Sequence, residues 1–135
     1  MTLRVYNTMS GRKEEFEPIS PPKVGMYACG VTVYDFCHIG HARAAVAFDV
    51  IARYLRYAGY DLTYVRNYTD VDDKIINRSN EQGIPWEELA RTFIEAHDVD
   101  MASLGVQRAD LEPRATDYIG QIIKTVEALV ANGIA

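Results

Sequence analysis

A chain of 135 residues with 48% hydrophobic and 24% charged side chains has the balance of an ordinary globular domain, which excludes the low-complexity and disordered classes. Nineteen acidic against fourteen basic residues give a net charge of −5, so the composition offers no general attraction for a polyanion. Two cysteines, Cys29 and Cys37, build no disulfide framework, and no stretch approaches a signal-peptide core or the ~20 apolar residues of a membrane span, so a reducing, cytoplasmic setting without a membrane is expected.

Leu3 to Tyr6 and Glu15 to Ile19 alternate apolar with polar residues about Ser10-Gly11-Arg12-Lys13, which predicts a small hairpin within residues 1–20. Pro18, Pro21 and Pro22 break regular structure after it. Val24 to Cys29 is short, apolar and bounded by turn signals, as a central parallel strand is. Asp35 to Gly40 reads as a loop and Ala42 to Ala58 as a long helix stopped by Gly59. Ala44, Ala47, Phe48, Ile51, Tyr54, Leu55 and Ala58 form its expected apolar face. Leu62 to Arg66 is the next strand, which completes a βαβ unit, and the crevice of such a unit lies at the carboxyl ends of its strands. Thr69 and Asp72 give a helix start signal for Val71 to Asn80, ended by Gly83 and Pro85. Two further helices are predicted over Trp86 to Leu104 and Arg114 to Asn132, followed by Gly105 and Gly133.

The densest chemistry is His38-Ile39-Gly40-His41, placed where the first strand hands over to the long helix. A helix start aims free N–H groups and two imidazoles at one spot, and Gly40 lets a phosphate come close. A plain helix-capping pair of surface histidines is the competing reading. Cys29, at the strand end, faces the same crevice, either as a metal ligand or as an inert core thiol. A self-contained zinc site from Cys29, Cys37, His38 and His41 has a spacing that fits no usual chelating loop and would consume the phosphate-binding histidines, so Cys37 reads as a loop filler. Thr69 suits a helix N-cap as well as a ligand contact. Asp70, Asp72, Asp73 and Lys74, at a helix start, answer the helix dipole better than they form an acidic metal site. His97 reads as an ordinary surface or helix-packing residue.

Two blocks, Tyr27-Ala28-Cys29-Gly30-Val31-Thr32-Val33-Tyr34-Asp35-Phe36-Cys37-His38-Ile39-Gly40-His41-Ala42-Arg43 and Tyr64-Val65-Arg66-Asn67-Tyr68-Thr69-Asp70-Val71-Asp72-Asp73-Lys74-Ile75-Ile76, closely resemble the N-terminal part of the cysteinyl-tRNA synthetases, which are class I aminoacyl-tRNA synthetases. The resemblance runs from Leu3 to Ala135, with Val31 where many relatives have proline and Tyr68 where they usually have isoleucine.

It implies an α/β fold: the first half of a Rossmann-type nucleotide-binding catalytic domain over residues 21–112, a parallel sheet with flanking helices behind the small N-terminal hairpin, and the helical start of an inserted segment over 113–135. It further implies that His38, Gly40 and His41 bind ATP, with His38 and His41 stabilising charge on the α-phosphate. Gly30 and Thr69 correspond to positions that hold the amino and carboxylate groups of cysteine, and Cys29 to one ligand of a catalytic zinc. The other zinc ligands and the second ATP-binding loop would lie beyond Ala135, so this stretch alone is expected to hold zinc weakly or not at all. The implied activity is activation of L-cysteine with magnesium ATP to cysteinyl-adenylate and transfer to tRNA(Cys), by a cytoplasmic monomer. Two alternatives are a related ligase that passes cysteine to an amino-sugar, from which the Asp70 to Lys74 block differs, and a non-catalytic nucleotide-binding fragment.

Overall fold

The computed structural model describes residues 3–135. Arg4–Asn7 (β1) pairs antiparallel with Arg12–Glu15 (β2), Arg4 opposite Glu15 and Asn7 opposite Arg12. The return strand is therefore Arg12–Glu15 and not the expected Glu15 to Ile19. Gly11, at φ +70°, closes the turn with its N–H on the Asn7 carbonyl, so pairing resumes at once.

The βαβ unit is present. Lys23–Ala28 (β3) pairs in parallel with Asp61–Arg66 (β4), Val24 level with Leu62 and Ala28 with Arg66, and the helix Ile39–Tyr57 (α1) joins them. The pairing is carried past the strand ends by a parallel bridge between Thr32 and Thr69. Residues 110–115 run along the other edge of β4, where Arg66 and Tyr68 donate their N–H groups to the carbonyls of Leu111 and Pro113. Arg114 is thus held beside Tyr68, and the expected helix from Arg114 begins later, as a 3₁₀ turn at Ala115–Tyr118 followed by Ile119–Ala131.

Val24, Ala28, Leu62 and Tyr64 of the sheet pack on Ala52 and Leu55 of α1. The buried stripe of α1 is Ala45, Asp49, Ala52 and Leu55, which corrects the expected face: Leu55 is buried and Phe48 half-buried, while Ala44, Ala47, Ile51, Tyr54 and Ala58 are exposed. The helix is apolar over more of its circumference than the sheet covers. Its buried side also carries an aspartate, because Asp49 accepts from the Gln107 N–H at 3.1 Å and from Arg53 Nε at 2.7 Å.

A second core gathers Val33, Tyr68 and Ile75 with Leu89, Ala90, Phe93 and Ile94. It lies under Asp73–Gln82 (α2) and Trp86–Ser103 (α3). The cap of α2 is Asp72, which accepts from the Lys74 N–H at 2.9 Å; Thr69 does not cap it, because its backbone is still paired with Val31 and Val33. Asp70 is buried and spends both carboxylate oxygens on Thr116, at 3.0 Å to its N–H and 2.6 Å to its hydroxyl. Among the described residues no helix is long and apolar enough to cross a membrane.

Candidate active site

The helix starts at Ile39, earlier than the predicted Ala42, because a pair of histidines caps it. His38 is the N-cap in extended backbone: its Nδ1 accepts from the Gly40 N–H at 3.0 Å, and His41 Nδ1 accepts in return from the His38 N–H at 3.3 Å. This is a capping box built from imidazoles. The rings lie 4.1 Å apart between centroids. Because each Nδ1 is an acceptor, each neutral ring carries its proton on Nε2, which leaves two N–H donors beyond the helix N-terminus. The capping and phosphate-binding readings are therefore compatible, since they use opposite edges of the same rings.

Burial, and next the neighbouring His38, push the pKa of His41 below its ordinary value. A depressed histidine pKa means that the unfolded chain takes up the proton first. The cap contribution is therefore complete above the ordinary imidazole value of about 6.5 and is lost as pH falls through the lower folded value. Amide exchange at His38 is expected to accelerate in that acid window while α3 amides stay protected; unchanged protection at His38 would remove the cap from His41.

Gly30 follows β3, and its N–H donates to Asn67 Oδ1 at 2.9 Å, with Tyr27 Oη on the same oxygen at 2.7 Å. A Cβ at Gly30 would stand 1.5 Å from the Asn67 carbonyl oxygen, so the strand ends touch backbone to backbone. Cys29 is exposed there, its Sγ 3.7 Å from the Gly30 carbonyl. A recess of about 130 Å³ opens beside it, lined by Cys29, Gly30, His41, Phe48, Arg66 and His97 among others. Cys29, Gly30 and His41 are thus brought together, with His38 and Gly40 on the adjoining turn. Thr69 lies one bridge away, its hydroxyl accepting from Asn67 Nδ2 at 3.4 Å, and does not line the recess.

Among the described residues no group of three His, Cys, Asp or Glu side chains is placed to hold a metal. Burial, with Asp100 adding, pushes the pKa of the Cys37 thiol up.

Sequence reasoning gave Arg66 no place at the site and left His97 open between a surface and a helix-packing residue, of which the structure bears out the second. Arg66 is buried with its guanidinium 3.5 Å from Glu112, and His97 is 3% exposed rather than a surface group. The signal for His97 is its register: it continues the stripe Leu89, Ala90, Phe93, Ile94 and Met101 on the buried side of α3.

This α/β unit, with a capped helix at the strand ends, matches class I synthetases among solved structures. Two structures of Mycobacterium tuberculosis methionyl-tRNA synthetase, both with methionyl-adenylate, align at TM-scores of 0.55 and 0.60 and 25% identity, covering 62% and 69% of this chain and 17% and 19% of theirs. The family model described as the tRNA synthetases class I (C) catalytic domain matches residues 15–135, and the chain belongs to that family. The cysteine–tRNA ligase of Syntrophotalea carbinolica is 63% identical and that of Geobacter metallireducens 59%, each over the whole chain. The chain spans 28% of the length of these two curated relatives.

Proposed function

We propose that this chain forms the ATP- and cysteine-binding start of a cysteine–tRNA ligase, which activates L-cysteine with magnesium ATP to cysteinyl-adenylate and pyrophosphate and transfers cysteine to tRNA(Cys). One observation carries the reading: two imidazoles that accept at Nδ1, and so present Nε2–H beyond a helix N-terminus, stand beside the exposed Cys29 thiol at the ends of two parallel strands. The names of the relatives at 63% and 59% identity support the same activity.

In this reading His38 and His41 donate to the α-phosphate as the cysteine carboxylate attacks it, and Gly40 keeps the approach open. Gly30 and Thr69 hold the amino and carboxylate groups. Cys29 suits one zinc ligand, being an exposed thiol at a strand end with a single long contact to the Gly30 carbonyl among the described residues. Zinc, when bound, supplies a soft centre that prefers thiolate to hydroxyl. The net charge of −5 favours tRNA contacts made mainly by other parts of the protein. Residues 1–20 serve as a hairpin, 21–112 as the first half of the catalytic domain and 113–135 as the start of an inserted segment, in a cytoplasmic monomer.

The test is amino-acid-dependent ATP–pyrophosphate exchange by a protein of the relatives' length that carries this chain. Cysteine is expected to exceed serine by on the order of 10⁴-fold, the range of sites that select by a specific bond rather than by size. Cys29→Ser is expected to collapse that ratio. Comparable exchange with serine in the unaltered protein refutes the reading.

A further inference from the structure

Asn67, the residue after β4, joins three others through its carboxamide. Its Oδ1 lies 2.9 Å from the Gly30 nitrogen and 2.7 Å from Tyr27 Oη, and its Nδ2 lies 3.4 Å from Thr69 Oγ1. The two ends of the amide are not interchangeable here. A backbone N–H only donates, so the atom facing Gly30 is the oxygen, and the donor end is thereby turned to Thr69.

These bonds decide what Gly30 and Thr69 have left for a ligand. The Gly30 N–H is consumed by Asn67, and the Gly30 carbonyl has one long contact among the described residues, Cys29 Sγ at 3.7 Å. Gly30, which lines the recess, therefore keeps an acceptor and no donor, and an acceptor suits an ammonium but not a carboxylate. An unpaired Gly30 N–H would instead set a donor against the hydrogens of that ammonium. Thr69 has spent its backbone, its N–H on the Val31 carbonyl at 3.0 Å and its carbonyl on the Val33 N–H at 3.2 Å. Its hydroxyl remains, with Asn67 as the one hydrogen-bond partner among the described residues. Accepting that bond leaves the hydroxyl a proton and a lone pair for a ligand.

We propose that Asn67 is a positioning residue for an α-amino acid: it withdraws the Gly30 N–H so that the glycine offers its carbonyl oxygen to the ammonium, and it holds the Thr69 hydroxyl beside that oxygen. The inference rests on the reading that Gly30 and Thr69 hold the amino acid, and it adds the group that sets their polarity and spacing. A brace that only keeps the two strands together is the competing role. The strands have little need of one, because Lys23 to Ala28 pair with Asp61 to Arg66 throughout and Thr32 bridges Thr69 beyond them.

Two measurements test it. In the full chain, amide exchange at Gly30 is expected to be slow in the unaltered protein and in Asn67→Asp, which keeps an oxygen for the N–H, and about tenfold faster or more in Asn67→Ala. Fast exchange at Gly30 in the unaltered chain overturns the geometry. In a protein of the relatives' length, equilibrium binding of cysteine and of ATP is measured separately. Asn67→Ala is expected to weaken cysteine about tenfold and ATP less than twofold. Asn67→Ser, whose hydroxyl spans only one of the two neighbours, takes its place if the alanine variant does not fold. Thr69→Val is expected to weaken cysteine about fivefold in the unaltered background and less than twofold once Asn67 is replaced, because a hydroxyl that nothing orients contributes little. Equal losses of cysteine and ATP, or losses at the two positions that simply multiply, overturn the positioning role. The failures separate: an unaltered protein that binds ATP but not cysteine sinks the functional reading, whereas cysteine binding that survives replacement of Asn67 sinks the role of Asn67.

Discussion

Replacing His41 by alanine is expected to lower cysteine-dependent ATP–pyrophosphate exchange by about 10²-fold or more in a protein of the relatives' length, with a smaller change in cysteine affinity. The residue has two separable jobs. Its Nδ1 accepts from the His38 N–H, which leaves the proton of the neutral ring on Nε2 as a donor. Losing the cap costs about 0.5–2 kcal/mol, well inside the 5–15 kcal/mol margin of a typical domain, so the folded population at 25 °C barely changes. The rate loss then reports the donor. His41→Asn, which keeps an N–H donor but shortens its reach, is expected to retain more exchange than alanine does. A His41→Ala rate within threefold of the unaltered protein sinks the assignment of the histidine pair.

Order and type of the elements were legible because local chemistry agrees with tertiary placement. Gly59 and Gly83 end their helices at φ +89° and +68°, as sequence punctuation implies, and Val24 to Ala28 and Leu62 to Arg66 pair as the crossover pattern requires. The burial of α1 was not legible, because Val46, Val50, Ile51 and Tyr54 are as apolar as its core side and remain exposed. Hydropathy ranks residues by transfer cost, and it has no means of knowing that Asp49 is satisfied by Gln107 across 58 positions. His97 was left open between surface and helix packing for a related reason. A titratable side chain on a helix is priced as solvated, and its partner Tyr68 comes from a different element 29 positions away. The tyrosine at position 68, where relatives usually have isoleucine, puts its hydroxyl 3.1 Å from His97 Nδ1 and 2.6 Å from Asp98 Oδ1. The candidate site was legible where its parts are contiguous, at His38 to His41, and opaque where Arg66 and His97 converge from β4 and α3.

Gly30→Ala is expected to be the most damaging single-methyl change in the chain. The added Cβ would stand 1.5 Å from the Asn67 carbonyl oxygen and 2.6 Å from its carbon, both backbone atoms, so no flexible side chain can turn aside. Relief requires the ends of β3 and β4 to part. That movement breaks the Gly30 N–H bond to Asn67 Oδ1, strains the Tyr27 bond to the same oxygen, and widens the wall of the recess beside Cys29. Overpacking costs about 1–3 kcal/mol, and adding a lost part-buried hydrogen bond of about 1 kcal/mol brings the total to about 2–4 kcal/mol. Gly25→Ala is the matched control: it sits on the same strand, with nothing within 4 Å of its added Cβ, and is expected to change stability by less than about 1 kcal/mol. Gly40→Ala falls between, because its Cβ meets the His38 ring at 2.6 Å, and that ring can rotate at the expense of the cap. Chemical denaturation of the three variants should therefore rank Gly30→Ala far below Gly40→Ala, and Gly40→Ala below Gly25→Ala. If Gly30→Ala unfolds at the same denaturant concentration as Gly25→Ala, the strand ends are not in contact and the recess is not walled as described.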